Sequence, residues 1–315
     1  MAESSARPHS ALWRRASLTA AGVAAALALS AGPARAFTVI VSPGDTLASL
    51  AERYYGRIQQ ERLLVAANFL DARGGTPIVP GMRLEVPALG HHRIVHGETW
   101  ETLAAELLGS PSRADVLSGA NGSSPWLAPE DGSEIAVPYN LRVAVGEREE
   151  LPAIAYRHLG DMNKAWMLDH YNGLNGKKAV AGEVLLVPIT DLTLTEAGQK
   201  AAAAAGGRAC SEAGGAVKRS QQHIAQELPA LVADVRAGRY TEAVTRGVRF
   251  VASGALTEPQ RALVEQKLTE AYVALDAPGL AAAACGEWRK RDRALHLDPT
   301  VTSPKIIAAC ERATP

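Results

Sequence analysis

The 315-residue sequence predicts an α+β chain in which three small tandem βααβ modules precede an all-α domain. Three observations carry that expectation. A self-similarity with a period near fifty residues runs from residue 37 to residue 189. Each period begins and ends on a short strand pattern and holds two helical patterns between them. Beyond residue 190 the strand patterns stop, and five helical patterns follow with Gly and Pro between them.

Residues 1–36 read as an export signal. Arg14 and Arg15 precede a weakly apolar run from Ala16 to Ala31, and Ala34-Arg35-Ala36 places small residues at both positions a signal peptidase reads. The run is short, Ala-rich and ends at Gly32-Pro33, which predicts a cleaved leader rather than a transmembrane anchor. The mature chain is expected to start at Phe37 and to be periplasmic, cell-wall associated or secreted. Ser17 occupies the place where a twin-arginine signal carries a large apolar residue, so the Sec and Tat routes both stay open. No Cys near the cleavage point suits a lipid anchor.

Lys plus Arg and Asp plus Glu both number 33, so no bulk basic field exists to hold nucleic acid. Loss of the leader removes four Arg and one acid, Glu3, leaving a mildly acidic mature chain. Aromatic residues make up only 5%, which gives few stacking platforms for single strands. Three Cys are too few for a disulfide scaffold, although an exported chain meets conditions in which they can pair.

The modules are fixed by recurring anchors. Gly56, Gly109 and Gly160 are each followed twelve positions later by Asn68, Asn121 and Asn172. Gly81, Gly132 and Gly182 are each followed six positions later by Pro87, Pro138 and Pro188. In the first module Thr38 to Val41 is a β-branched run, and Pro43-Gly44-Asp45 is a turn whose Asp is expected to cap the next helix. Leu47, Leu50, Ala51 and Tyr54 then form one apolar helix face, repeated as Trp100, Leu103, Ala104 and Leu107. A second helix is expected to end at Asn68 through the left-handed backbone that Asn tolerates. A loop with Gly81 leads into the alternating strand Arg83 to Pro87.

At these residues the sequence resembles the LysM family. The resemblance rests on Val41 to Leu47, Leu50 to Tyr54, Ala67 to Leu70, Ile78 to Gly81 and Leu84 to Pro87 in the first module. The second matches through Val95 to Trp100, Ala120 to Gly122 and Gly132 to Pro138, and the third at its helices, Asn172 and Gly182 to Pro188. It implies LysM modules at 37–88, 92–139 and 141–189 that bind peptidoglycan or a related N-acetylglucosamine polymer. Gly44, Asp45, Thr46 and Leu47 with Ile78, Val79, Pro80 and Gly81 would then line the first groove, and Gly97, Glu98, Thr99 and Trp100 one wall of the second. Uncharged N-acetyl sugars suit backbone groups and short polar side chains in a shallow cleft. The same residues also suit plain structural work: Asp45 and Thr46 as helix caps, Leu47 as core.

Two departures narrow the expectation. Aligned on Gly160, the turn glycine of the third module belongs at position 148, yet the glycine stands at 146, which predicts a two-residue insertion and weakens the case for sugar binding there. In the second module, Ser124 to Pro129 diverges, and Trp126 has two readings, packing in its loop or stacking on a sugar ring. The linkers Ala88 to His91 and Asn140 are short enough to restrict the modules relative to one another.

Residues 190–221, rich in Ala and Gly, read as a short helix and a flexible connector. Helical patterns follow at 222–237, 241–252, 258–274, 279–295 and 304–312 within a domain spanning 222–315. Leu231, Gly238-Arg239-Tyr240, Ala243, Ala271-Tyr272, Leu280 and Leu297-Asp298-Pro299 resemble divergent tetratricopeptide repeats, with a generic helical bundle as the other reading. The resemblance implies a protein-interaction or scaffold role. Cys285 and Cys310 flank the turn at Asp298-Pro299 and can come into register across an antiparallel hairpin, which predicts a disulfide and leaves Cys210 unpaired or available for a dimer link.

No catalytic motif, cofactor site or metal site emerges. Cys210 with His223, and Cys285 with His296, supply suitable residue types on helical or linker sequence without a strand scaffold. His91, His92 and His96 lack a fourth metal ligand. Arg289-Lys290-Arg291 with Arg293 form a basic stretch expected to face solvent. The sequence therefore predicts a non-enzymatic envelope protein that binds peptidoglycan, with a protein partner on the helical tail; the alternative is a wall-remodelling hydrolase with an unrecognised site in residues 190–315.

Overall fold

The computed structural model describes residues 36–71, 77–205, 215–292 and 295–313. Residues 1–35 of the expected export signal, together with Cys210 and Arg293, lie outside the described residues.

Three successive segments take the same path. In the first, β1 (Ala36–Ile40), α1 (Leu47–Tyr55), a 3₁₀ turn at Ile58–Gln60, α2 (Glu61–Ala67) and β2 (Arg83–Pro87) follow in order. The second runs through β3 (Gly90–Arg93), α3 (Trp100–Leu108), α4 (Ala114–Gly119) and β4 (Glu134–Val137), and the third through β5 (Tyr139–Ala144), α5 (Leu151–Leu159), α6 (Ala165–Asn172) and β6 (Val184–Ile189). Each segment closes its own two-stranded antiparallel sheet, with Val39 opposite Leu84, His92 opposite Ile135 and Val143 opposite Leu185. Only Ala88-Leu89 and Pro138 separate the sheets. His91 and Asn140, expected in linkers, are strand residues.

The recurring asparagines do not work as the sequence suggested. Asn68 has φ −106°, and the left-handed residue is its neighbour Phe69 at φ 54°. The Asn68 amide instead reaches the outer edge of β2, donating to Leu64 O and Glu85 O, both at 2.8 Å, and accepting from Glu85 N at 2.7 Å. Asn121 does the same with Leu117 O, Ala136 O and Ala136 N, and Asn172 with Leu168 O, Leu186 O and Leu186 N. An edge strand left open exposes unpaired backbone groups; here one side chain pairs a donor and an acceptor at its middle and ties the second helix to it.

The first and third segments share one apolar core. Leu50, Leu64, Leu84 and Val86 of the first are fully buried in the same cluster as Leu141, Ile154, Leu168, Leu185 and Val187 of the third. The Tyr139 hydroxyl donates across to Glu85 Oε1 at 2.8 Å. The second segment keeps a separate core of Ile94, Trp100, Leu103, Leu117 and Val137. It touches the third through Arg113, whose Nε donates to Tyr171 O at 3.0 Å and whose guanidinium lies 4.6 Å from the Tyr171 ring centroid.

The Ala-rich stretch after β6 is a docked helix before it is a connector. Helix α7 (Glu196–Ala205) lies on β1 and α1, with Thr195 N donating to Tyr54 O at 2.9 Å. Gly198 permits that approach, since a Cβ there would sit 2.7 Å from Tyr54 O. Any connector falls on residues 206–214, outside the described residues.

Among the described residues five helices follow: α8 (Ala216–Arg236), α9 (Tyr240–Ala252), α10 (Glu258–Ala274), α11 (Pro278–Arg291) and α12 (Pro304–Glu311). Helix α8 starts six residues before the sequence pattern at Gln222. Each helix packs on the next; Leu231, Phe250, Val264, Leu268 and Ala271 form the core of the first helices, and α12 packs in a separate cluster with Cys285 and Trp288. The buried Asp234 closes the α8–α9 corner, accepting from Arg239 at 2.7 Å and Arg246 at 3.2 Å. Cys285 and Cys310 are bonded, with Cα atoms 5.2 Å apart, and lie beside Trp288. Arg291 is not a free cation: it pairs with Glu287 at 2.8 Å and with Glu258 of α10 at 3.3 Å.

Replacing the third asparagine, Asn172→Ala, removes three hydrogen bonds and leaves Leu186 N–H and C=O without their protein partner. Urea unfolding should show a loss of about 2–3 kcal/mol; a change under about 0.5 kcal/mol would mean the strand edge does not need its pin.

Candidate functional site

In the first segment the turn Ser42–Thr46 and the loop Ile78–Gly81 leave the same end of the β1–β2 ladder. Val41 N donates to Met82 O at 2.9 Å and Gly81 N to Val41 O at 2.8 Å, so the ladder continues until the two arms part. Gly44 and Gly81 both have φ 87°, a left-handed backbone that a side chain resists, and a Cβ at either would meet nothing within 4 Å. Open space above two glycine backbones is what a shallow groove for a polar ring requires.

The side chains predicted to line this groove have more specific duties. Thr46 caps α1: its Oγ1 accepts from Ser49 N at 3.0 Å, while Ser49 Oγ accepts from Thr46 N at 2.9 Å. Asp45 does not cap the helix. Its Oδ2 accepts from Ser42 N at 2.8 Å and its Oδ1 from Arg53 at 2.7 Å, closing the turn and bracing it on the outer face of α1. The Arg53 guanidinium, then the Ser42 N–H, hold the Asp45 carboxyl below the usual carboxylate range. Leu47 and Ile78 are half-buried against the core, whereas Val79 and Pro80 are exposed. Gly44, Thr46, Val79, Pro80 and Gly81 are thus exposed, and Asp45, Leu47 and Ile78 are the part-buried supports beneath them.

The second groove is crossed by its own side chains. Trp100, expected on its wall, is 3% exposed, and its Nε1 donates to Leu127 O at 2.7 Å. His96 Nδ1 and Asp131 Oδ2, on the turn and the loop respectively, are 2.6 Å apart. Glu98 closes its turn as Asp45 does, accepting from Val95 N at 2.7 Å, and also meets His92 Nε2 at 3.0 Å. Thr99 caps α3, and Gly97 keeps φ 91°. His92 and His96 therefore face different carboxylates, and among the described residues no group of three or more His, Cys, Asp or Glu is placed to hold a metal.

The helical region also docks on this module. Arg93 donates to Gly254 O and Leu256 O at 3.1 Å, and Glu258 N donates to Asp131 O at 3.0 Å. Trp126 is 81% exposed, so the packed-loop expectation for it is wrong. Its neighbour Leu127 supplies the carbonyl that holds Trp100, which ties the loop's backbone to α3.

The third groove holds a surprise of register. Gly146 N donates to Glu149 Oε2 at 3.0 Å, the bond that Ser42 makes with Asp45 and Val95 with Glu98. Helix α5 then starts at Leu151, in step with Leu47 and Trp100. No insertion exists. Arg148, with φ 59°, takes the place of Gly44 and Gly97. The repeated i,i+3 spacing to an acid was the signal for this; glycine, which is easier to see, misled. A cleft of about 520 Å³ opens here between Arg148–Pro152 and Gly176–Ala181.

Residues 39–87 match the family model of the LysM domain. The LysM match covers β2, both helices and the last two residues of β1, and includes all eight first-groove residues. Two proteins of Mycobacterium tuberculosis, Esterase Rv1288 of strain H37Rv and Esterase MT1326 of strain CDC 1551, are each 27% identical over 151 residues, covering 48% of this chain and 33% of theirs. The chain therefore spans about a third of the length of these curated relatives. Among the described residues no helix is long and apolar enough to cross a membrane.

The Asp45–Arg53 brace in the LysM domain gives a pH test. A carboxyl with a lowered folded pKa adds stability above its unfolded pKa of about 3.9, and that stability fades as pH falls through the folded value. Unfolding followed from pH 7 to 2 should show a steeper acid loss for the parent than for Asp45→Asn; parallel curves would remove the brace from the account.

Proposed function

We propose that this is a non-catalytic cell-envelope protein that binds peptidoglycan or a related N-acetylglucosamine polymer, with a helical region that serves as a protein-interaction or scaffold domain. The LysM match at residues 39–87 carries the reading, since LysM domains bind such glycans. Support comes from the open backbone rim at Gly44 and Gly81. The second and third segments count in this proposal as further LysM-like repeats, because they repeat the turn-closing acid, the asparagine pin and the helix start. Residues 1–36 act as the leader that takes the chain out of the cytoplasm.

The two relatives are esterases by name, which favours a second reading, a wall-remodelling hydrolase with its site in residues 190–315. One feature weighs against it. The sulfur of Cys285 is bonded to Cys310, which removes it as a nucleophile for His296.

The test uses residues 37–315 with purified sacculi. Retention on the pellet without release of soluble muropeptides is expected. Gly44→Val puts a branched side chain into the rim and should weaken retention about tenfold, or about 1.4 kcal/mol. No retention of the parent defeats the binding proposal, and reproducible muropeptide release restores the hydrolase.

A further inference from the structure

The cleft of the third module differs from the other two in charge. Gly44 and Gly97 stand where this module has Arg148, and the opposite arm carries Lys177 and Lys178. The acids around the cleft are already engaged. Glu149 is held by Gly146 N at 3.0 Å and Arg157 at 2.8 Å, Glu150 lies 3.5 Å from Lys178, and Asp169 Oδ1 accepts from Gly176 N at 2.9 Å. Arg148 and Lys177 are exposed on opposite arms, and among the described residues neither has an acidic partner.

Arg148 also sits in a left-handed backbone at φ 59°, where the first two modules use glycine. A β-carbon is disfavoured there, so the arginine is held against a local cost that glycine would not incur. Glu150, at the N-cap of α5, makes no capping bond, unlike Thr46 and Thr99, and Pro152 has no N–H to offer. Leu151 and Pro152 at the start of α5 line the cleft, but Ala153 N already donates to Glu150 O at 2.9 Å, so the side-chain cations rather than the helix end supply the attraction for an anion.

We propose that the third groove binds a glycan bearing an ionised carboxylate, with Arg148 on one arm and Lys177 on the other pairing with it. This rests on the glycan-binding reading above and divides the labour within it: the first groove takes neutral N-acetyl sugar, and the third selects strands that still carry a free carboxylate. Guanidinium and ammonium groups meet an ionised carboxylate with both charges in the bond, whereas a neutral acetamido sugar offers them only uncharged carbonyl and hydroxyl acceptors.

Isothermal titration of residues 37–315 tests this with four probes: chitotetraose, a disaccharide muropeptide with free carboxylates, the same muropeptide with its carboxylates amidated, and an oligoglucuronate. The free muropeptide should bind about tenfold more tightly than the amidated one. Arg148→Gly with Lys177→Gln should abolish that difference while chitotetraose affinity stays within about twofold. Arg148→Gly alone relieves the backbone, so its melting temperature should rise as its muropeptide affinity falls, which separates ligand contact from folding. Oligoglucuronate that competes with the muropeptide places the recognised carboxylate on a sugar ring, and failure to compete places it on the stem peptide; both support the proposal. Equal affinity for free and amidated muropeptide overturns it, as does an equal loss of chitotetraose and muropeptide in the double variant. If the parent binds chitotetraose without preferring the free muropeptide, only this proposal falls; if it binds none of the probes, the glycan-binding reading falls as well.

Discussion

A sheet of two strands cannot satisfy itself, because each strand has one paired edge and one bare one. In this protein the bare edge of the second strand is met at its centre by a carboxamide, the side chain of Asn68, Asn121 or Asn172. The choice of residue follows from what must be paired. One backbone donor and one acceptor of the same residue face outward, and a carboxamide is the neutral side chain that offers the matching acceptor and donor together. The same amide bonds the last turn of the second helix, so helix and strand cannot shift independently. The separation of the two groove arms, which begin beyond those elements, follows from that bond.

Glycine and acid residues then set how the arms diverge. Gly44, Gly97 and Arg148 all turn left-handed, and Asp45, Glu98 and Glu149 each accept the backbone N–H three residues earlier. Around this shared frame the three clefts have drifted apart. The first keeps a bare rim, the second is bridged by His96 with Asp131 and by Trp100 with Leu127, and the third is charged.

The elements were legible because their signals are local. Strand runs, helix faces and the Gly and Asn anchors lie within one period, and the helical patterns after residue 240 fall within a few residues of the observed helices. Roles that depend on partners far along the chain were not. Nothing in the apolar pattern distinguishes Leu141 or Ile154, buried against the first module, from Leu103 or Leu117, buried in the second alone. Asp45 looked like a cap because it precedes a helix, but Thr46 is one residue nearer and takes that position. Trp100 looked like a wall of the groove because it follows the turn, yet a carbonyl 27 residues away holds its indole. Docking of the helical tail on Arg93 left no trace in spacing at all, since its acceptors lie more than 160 residues away.

Sharing of one core by the first and third modules means that order along the chain is not order in space. The second module leaves that common body after Ala88-Leu89 and returns to it through Pro138, so topologically it is an insert rather than the middle bead of a string. On the glycan-binding proposal, a polymer lying along the protein would meet the first and third clefts as a preset pair whose spacing is fixed by packed side chains. The second binding event would then lose less entropy than it would across a flexible tether. The pair would act as a gauge, matched to some repeats of a glycan and mismatched to others.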